Sequence, residues 1–255
     1  MLKVLFVVFI SLAPAGVLAK NIHVCVDDDW FPYTFKENGK AVGIHVDIVR
    51  KAIENLGDTV ELAPLPWKRC LSLGQSGKVA AVMSASYKDE RAEFAYYPND
   101  AKTAKMSKGR IDQVEHVLVT RHDDPYEFNK DWTTIPQPVG VGGMGSSITG
   151  ELRKQGLQVI ENNTKTGGLS MLMLKRVNSI SFNPLQAKHS NSTGEFKGKL
   201  KINKIPLRSK SYFIIFSKKG DVSQEQREEI WESLSKVRSD EKFMLNTFDK
   251  YEKKN

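Results

Sequence analysis

Residues 21–84 read NIHVCVDDDWFPYTFKENGKAVGIHVDIVRKAIENLGDTVELAPLPWKRCLSLGQSGKVAAVMS, and the changes of period within this stretch decide the fold. Residues 21–26 alternate and carry β-branched side chains, the pattern of a strand. The polar, aromatic segment 27–33, broken by Pro32, reads as a loop, and Glu37-Asn38-Gly39-Lys40 as a turn. From Ile44 the period becomes helical: Ile44, Ile48, Val49, Ala52, Ile53 and Leu56 share one face, with Gly57 as a stop. Residues 60–63 give a second short strand. Pro66 opens a helix that runs through Leu73 and ends near Gly77, and residues 79–83 form a buried third strand. This β-α-β-α-β order implies a largely parallel sheet with helices on both faces.

Toward the C-terminus, residues 88–95 start a short helix, 99–113 read as surface loop and 114–120 as a strand. The pattern then restarts. Strands are expected at 139–142, 157–160 and 179–182, separated by a glycine-serine loop at 143–147 and by helices at 148–155 and 169–174. Later strands fall at 200–205 and 212–216. Ser223 and Gln226 have the spacing of a capping box, ahead of a closing amphipathic helix with Ile230, Trp231, Leu234 and Val237. Two α/β units in one chain predict a cleft between them, because ligands of open α/β sheets sit outside the carboxyl ends of the strands.

Toward the N-terminus, Met1-Leu2-Lys3 is a short positive start, residues 4–12 are nearly all apolar, and Val17-Leu18-Ala19 ends on a small residue. That is the layout of a secretory signal peptide over residues 1–19, with cleavage after Ala19. The apolar run is short for a bilayer span, which disfavours the alternative of a retained anchor. An apolar content of 40% and a charged content of 27% are those of a globular protein. The formal charge is +8, and removal of Lys3 lowers it by one. Lys and Arg are scattered rather than gathered on one stripe, so no nucleic acid is expected as partner, although the general field favours anions. Cys25 and Cys70 are the only cysteines. An oxidising compartment allows them to pair, the alternative being two separately buried thiols. No zinc spacing, nucleophile elbow or phosphate loop occurs. The five histidines form no cluster in the sequence, and no carboxylate pair has a telling spacing for acid-base work. Neither an enzyme nor a cofactor or metal site is expected.

Several segments in order carry a resemblance: Asp27-Asp28-Asp29-Trp30-Phe31-Pro32-Tyr33, Gly39 through Ile48, Pro66-Trp67-Lys68-Arg69, Gly77 through Ser84, Glu90-Arg91-Ala92, and Gly140-Val141 with Gly145-Ser146-Ser147. Each is weak alone; their order and spacing are specific. The chain resembles the family of extracellular solute-binding proteins that serve polar amino-acid ABC transporters. The resemblance implies an α/β, two-lobe periplasmic-binding-protein fold of type II with two hinge-crossing strands, 114–120 and 212–217. It places residues 20–118 with 217–255 in one lobe and 119–216 in the other. It further implies a monomeric periplasmic protein that captures a small polar ligand and delivers it to an inner-membrane ABC permease, or presents it to a membrane receptor. A less favoured third reading is a dehydratase on the same fold.

The same resemblance turns Trp30 and Trp67 toward the cleft, one on each side of the ligand. Indole faces give contact area and can hold a cation; the alternative is that either ring is core. Arg91 would pair with a ligand carboxylate, which its guanidinium fork matches in a bidentate way; the alternative is a surface pair with Glu90 or Glu93. Ser84 and Ser86 offer hydroxyls and N–H groups to the same carboxylate, or simply shape a turn. Ser146 and Ser147 precede a helix whose first N–H groups are free to bind an anion, or merely cap it. Asp27 is an acceptor for a polar ligand group, or a solvated loop carboxylate. Asn183, in Ser181-Phe182-Asn183-Pro184, stands where amino-acid binders of the family carry an acidic residue for the α-ammonium. Asn can accept a hydrogen bond but carries no charge, which counts against an ordinary α-amino acid; the ligand expected is an amino acid or related carboxylate, with another small polar molecule as the alternative.

Overall fold

Alternation over Asn21–Asp27 makes β1, whose inward Ile22, Val24 and Val26 are buried. The protein is seen here as a computed structural model that describes residues 19–252; the leader read at the N-terminus lies, up to Leu18, outside the described residues. β2 (Asp29–Trp30), β3 (Thr34–Glu37) and β4 (Lys40–Val42) form a small sheet of their own. Asn38 and Gly39 join β3 to β4 with φ of 51° and 79°, the two-residue hairpin geometry that Asn-Gly favours. α1 (Ile44–Glu54) buries Ile44, Ile48, Val49, Ala52 and Ile53. Its entry needs glycine: Gly43 has φ 132°, and a Cβ there would lie 2.3 Å from the Tyr33 carbonyl oxygen. β5 (Thr59–Leu65) leads through Pro66 into α2 (Trp67–Ser76), which stops at the left-handed Gly77. β6 (Ala81–Ser86) follows. β1 pairs in parallel with β5 on one side and β6 on the other, the first half of the expected sheet.

After α3 (Asp89–Ala92) and the two-residue β7 (Ala95–Tyr96), β8 (Asp112–Arg121) runs out of this lobe. The second lobe holds β9 (Val139–Gly142), α4 (Ser147–Lys154), β10 (Val159–Asn162), α5 (Lys165–Met173) and β11 (Ser179–Phe182), with β9 parallel to both its neighbours. α6 (Pro184–Ser192) was not expected from periodicity, for a physical reason: it buries only Gln186 and Ala187, so no apolar stripe marks it. Its start signals are local instead, Asn183 as cap and proline at the first position.

β12 (Leu200–Ser217) is a single strand where two were expected. The polar run Arg208-Ser209-Lys210-Ser211 interrupts the apolar pattern, but the backbone stays extended because it pairs with β8 through this region. The register slips around Pro206, which has no N–H to give to a ladder. α7 (Gln224–Ser239) begins at Ser223, whose Oγ accepts from the Gln226 N–H at 3.2 Å. α8 (Glu241–Glu252), also unexpected, buries only Thr247 and Tyr251.

The main sheet has the order β10-β9-β11-β8-β12-β6-β1-β5. The antiparallel pair β8 and β12 lies in its middle and carries the chain between the lobes. Val114, Tyr212, Ile214 and Phe216 pack with β1 and α1, whereas Val117 and Val119 pack with Leu169 and Ile180. Leu118 and Leu207 pack on the other face with Ile148 and Leu152. Each lobe thus has its own core, and the change-over falls inside the two connecting strands. A disulfide joins Cys25 on β1 to Cys70 on α2, with Cα atoms 5.3 Å apart, beneath Phe213 and Ile215.

Candidate functional site

The carboxyl ends of β1, β6, β9 and β11 converge on one cleft, with about 590 Å³ of space not filled by protein atoms, part of it open to solvent. Asp27 sits at the end of β1, Ser84 and Ser86 at the end of β6, and Trp67 at the first turn of α2. Ser146 and Ser147 stand at the start of α4, and Asn183 follows β11. All of these, with Trp30 and Arg91, line the cleft.

Ser84 owes its position to an irregularity in β6. It has φ 67°, a region that costs a non-glycine residue strain, and the register against β12 shifts between Phe213 and Ile215 at this point. The kink aims the Ser84 hydroxyl at His45 Nδ1, 2.9 Å away. His45 is buried beneath the site, its Nε2 3.8 Å from the Asp112 carboxylate. Trp30 packs against Tyr33, His45 and Tyr212, with ring centroids 4.8–5.5 Å apart. It is therefore both a core residue and a wall of the cleft.

Arg91 is only 5% exposed. Its Nη1 donates to the Ser86 carbonyl at 2.8 Å and its Nη2 to the Gly145 carbonyl of the opposite lobe at 3.1 Å. The guanidinium carbon lies 5.1 Å from the centroid of the Trp67 ring, so the indole face supports the cation. Among the described residues no carboxylate pairs with it, and neither Glu90 nor Glu93 is its partner. Burial pulls its pKa down from the ordinary arginine value. A buried charge that meets carbonyls, hydroxyls and an indole face but no counter-charge is under-compensated.

From the second lobe, Ser146 caps α4 without a side-chain bond, which leaves the first N–H groups of that helix available. The Ser147 hydroxyl meets the Ser86 hydroxyl across the cleft at 2.8 Å and accepts from Arg208 Nη2 at 2.9 Å. Arg208 also donates to Glu151 at 2.9 Å. Asn183 spends its Oδ1 on the Gln186 N–H at 2.8 Å, as cap of α6.

Sequence reading passed over Lys165, His116, Gln186, Phe182 and Tyr212, all of which line the cleft. Lys165 Nζ reaches Asp27 Oδ2 at 2.7 Å across it, and the Lys165 N–H donates to Asp29 at 3.1 Å. His116 lies between Ser181 Oγ and the Tyr212 hydroxyl, at 3.3 and 3.2 Å. Burial, reinforced by Arg208, Lys165 and Lys210, holds its pKa well below the ordinary 6.5. Gly142 makes room for the Lys165 contact: a Cβ there would lie 2.6 Å from the Lys165 Cα, so the glycine loop admits α5. Among the described residues no cluster of His, Cys, Asp and Glu could hold a metal ion.

The arrangement offers a guest one buried fork, two hydroxyls, free helix N–H groups and aromatic walls, contributed by both lobes. No curated protein sequence matches the chain significantly. Among solved structures, an ancestral arginine-binding protein bound to glutamine is 20% identical, with a TM-score of 0.70, covering 91% of this chain and 97% of its own. A histidine kinase sensor domain with similarity to periplasmic binding proteins is 20% identical with a TM-score of 0.72, covering 91% and 95%. The ancestral amino acid-binding protein AncCDT-1, a precursor of cyclohexadienyl dehydratase, is 14% identical with a TM-score of 0.70, covering 91% and 95%. At these identities the likeness is one of fold: two α/β lobes around a cleft. The model of the bacterial extracellular solute-binding proteins, family 3, matches residues 22–251, and the chain belongs to that family.

Proposed function

We propose that the protein is a periplasmic binding protein that captures an amino acid or related carboxylate between its lobes and hands it to an ABC permease of the inner membrane. The leader-like residues 1–19 supply the export, and residues 20–118 with 217–255 move against 119–216 about β8 and β12. The observation that carries this reading is Arg91: a guanidinium 5% exposed, at the cleft, with no carboxylate among the described residues paired to it. A ligand carboxylate completes that site, and the first turn of α4 takes the same group from the other side. The serines at 84, 86, 146 and 147 orient it, and the indoles of Trp30 and Trp67 cover its body. No step of catalysis is assigned to Asp27, whose carboxylate is held by Lys165.

A thermal-shift screen of amino acids, amines, organic acids and sugars tests the reading. A ligand at about 1,000 times its Kd adds about 4 kcal/mol to stability, or roughly 8–16 °C for a chain of this size. Arg91→Ala is expected to abolish that shift. A shift that survives the substitution removes Arg91 from the site, and turnover of any compound in the screen favours the dehydratase reading.

A further inference from the structure

The charges of the cleft restrict what the guest carries. Asp27 is the sole carboxylate among the residues lining it, and Arg91 and Lys165 are the two cations. Asp27 is already taken: its Oδ2 accepts from Lys165 Nζ at 2.7 Å, and the two side chains are 9% and 13% exposed. Lys165 is held there from the opposite lobe by its own N–H on Asp29 and by its place at the start of α5, where Thr164 is the cap. Asn183 has its oxygen on the Gln186 N–H, and burial keeps His116 neutral.

The lining therefore carries one unbalanced positive charge, that of Arg91. A monoanion balances it. A zwitterion leaves it unbalanced, and its ammonium finds no free carboxylate among the lining residues. To bind, that ammonium must displace Lys165 from Asp27 inside a closed cleft, which strands a second buried cation.

We propose that the guest is a small carboxylate anion without an ammonium group, and that Lys165 is the residue that rejects α-amino acids. The inference rests on the reading of the cleft as a solute site. The carboxylate meets Arg91, and the uncharged body lies among Trp30, Trp67, Phe182 and Tyr212. Rejection works by leaving a charge unpaired rather than by filling space, a common route to discrimination.

The test is calorimetric titration with pairs that differ at the α-position: L-leucine and 4-methyl-2-oxopentanoate, L-phenylalanine and 3-phenylpropanoate, L-glutamine and its 2-oxo counterpart. Each is titrated into the wild type, Lys165→Ala and Lys165→Met, the last keeping a long stem against Gly143. The expected result is that any pair that binds does so with the deaminated member tighter, by about tenfold or more. Either Lys165 substitution then narrows or inverts that ratio, because Asp27 becomes free for an ammonium. An amino acid that binds the wild type as tightly as its deaminated partner overturns the inference and leaves the solute-binding reading standing. So does an unchanged ratio in both variants. Failure of every pair, together with every other compound of the broader screen, overturns both.

Discussion

At the scale of single residues, the site is a contest between burial and charge. Arg91 is desolvated and held by carbonyls, so the carboxylate of the proposed ligand is expected to improve its free energy. His116 runs the other way, being kept neutral by burial and by three cations. Above about pH 6.5 the imidazole is neutral in folded and unfolded chains and contributes nothing to pH dependence. Below that value the unfolded chain takes up a proton that the folded one refuses. Stability then falls on acidification, by up to about 1.4 kcal/mol per pH unit, until the folded site protonates. His116→Gln is expected to flatten this slope between pH 6.5 and 5 in thermal melts; an unchanged slope means His116 is not the group that titrates. Arg91 was legible in the sequence because a local motif carries it. His116 and Lys165 were not, because their meaning is tertiary: Lys165 meets Asp27 across 138 residues of chain, and a lone lysine after a polar turn has no distinctive pattern.

At the scale of elements, periodicity served where one face of a segment is buried. α1 shows a full apolar stripe, β1 alternates, and β6, β9 and β11 are short apolar runs bounded by turn residues, so each was readable. α6 and α8 bury two residues apiece and leave no such stripe. β12 was read as two strands because its middle is polar, although the ladder with β8 holds it extended. The cysteines add a constraint that spacing alone left open. The disulfide closes a loop over a sequence separation of 45, which restricts the unfolded chain and contributes about 4 kcal/mol on the chain-entropy estimate. The double substitution Cys25→Ser with Cys70→Ser is expected to lose most of this in denaturant melts, and reduction of the wild type is expected to do the same. A loss below about 1 kcal/mol contradicts the entropic account.

At the scale of the whole molecule, each lobe has its own core and a polar cleft lies between them, with Leu185 of α6 as an apolar contact from the second lobe to the first core. Most contacts that cross the cleft are polar: Ser86 with Ser147, Arg91 with Gly145, Asp27 with Lys165 and Asp29 with the Lys165 backbone; beside it Phe31 packs on the His189 ring, with centroids 4.1 Å apart, and Leu185 packs on the first core. The polar contacts among them are the ones that water could replace on opening, except the buried Asp27–Lys165 pair; this suits the proposed closure about β8 and β12. In the proposed complex one guest is gripped by the Arg91 fork from one lobe and by the α4 N-terminus from the other. The most direct test of this grip is calorimetric titration of the tightest binder from the screen into the wild type and into Arg91→Lys, which keeps the charge and removes the fork. One site per chain is expected, with an affinity at least about tenfold weaker in the variant and the melting temperature of the unliganded proteins alike. Equal affinity in the two proteins would contradict it.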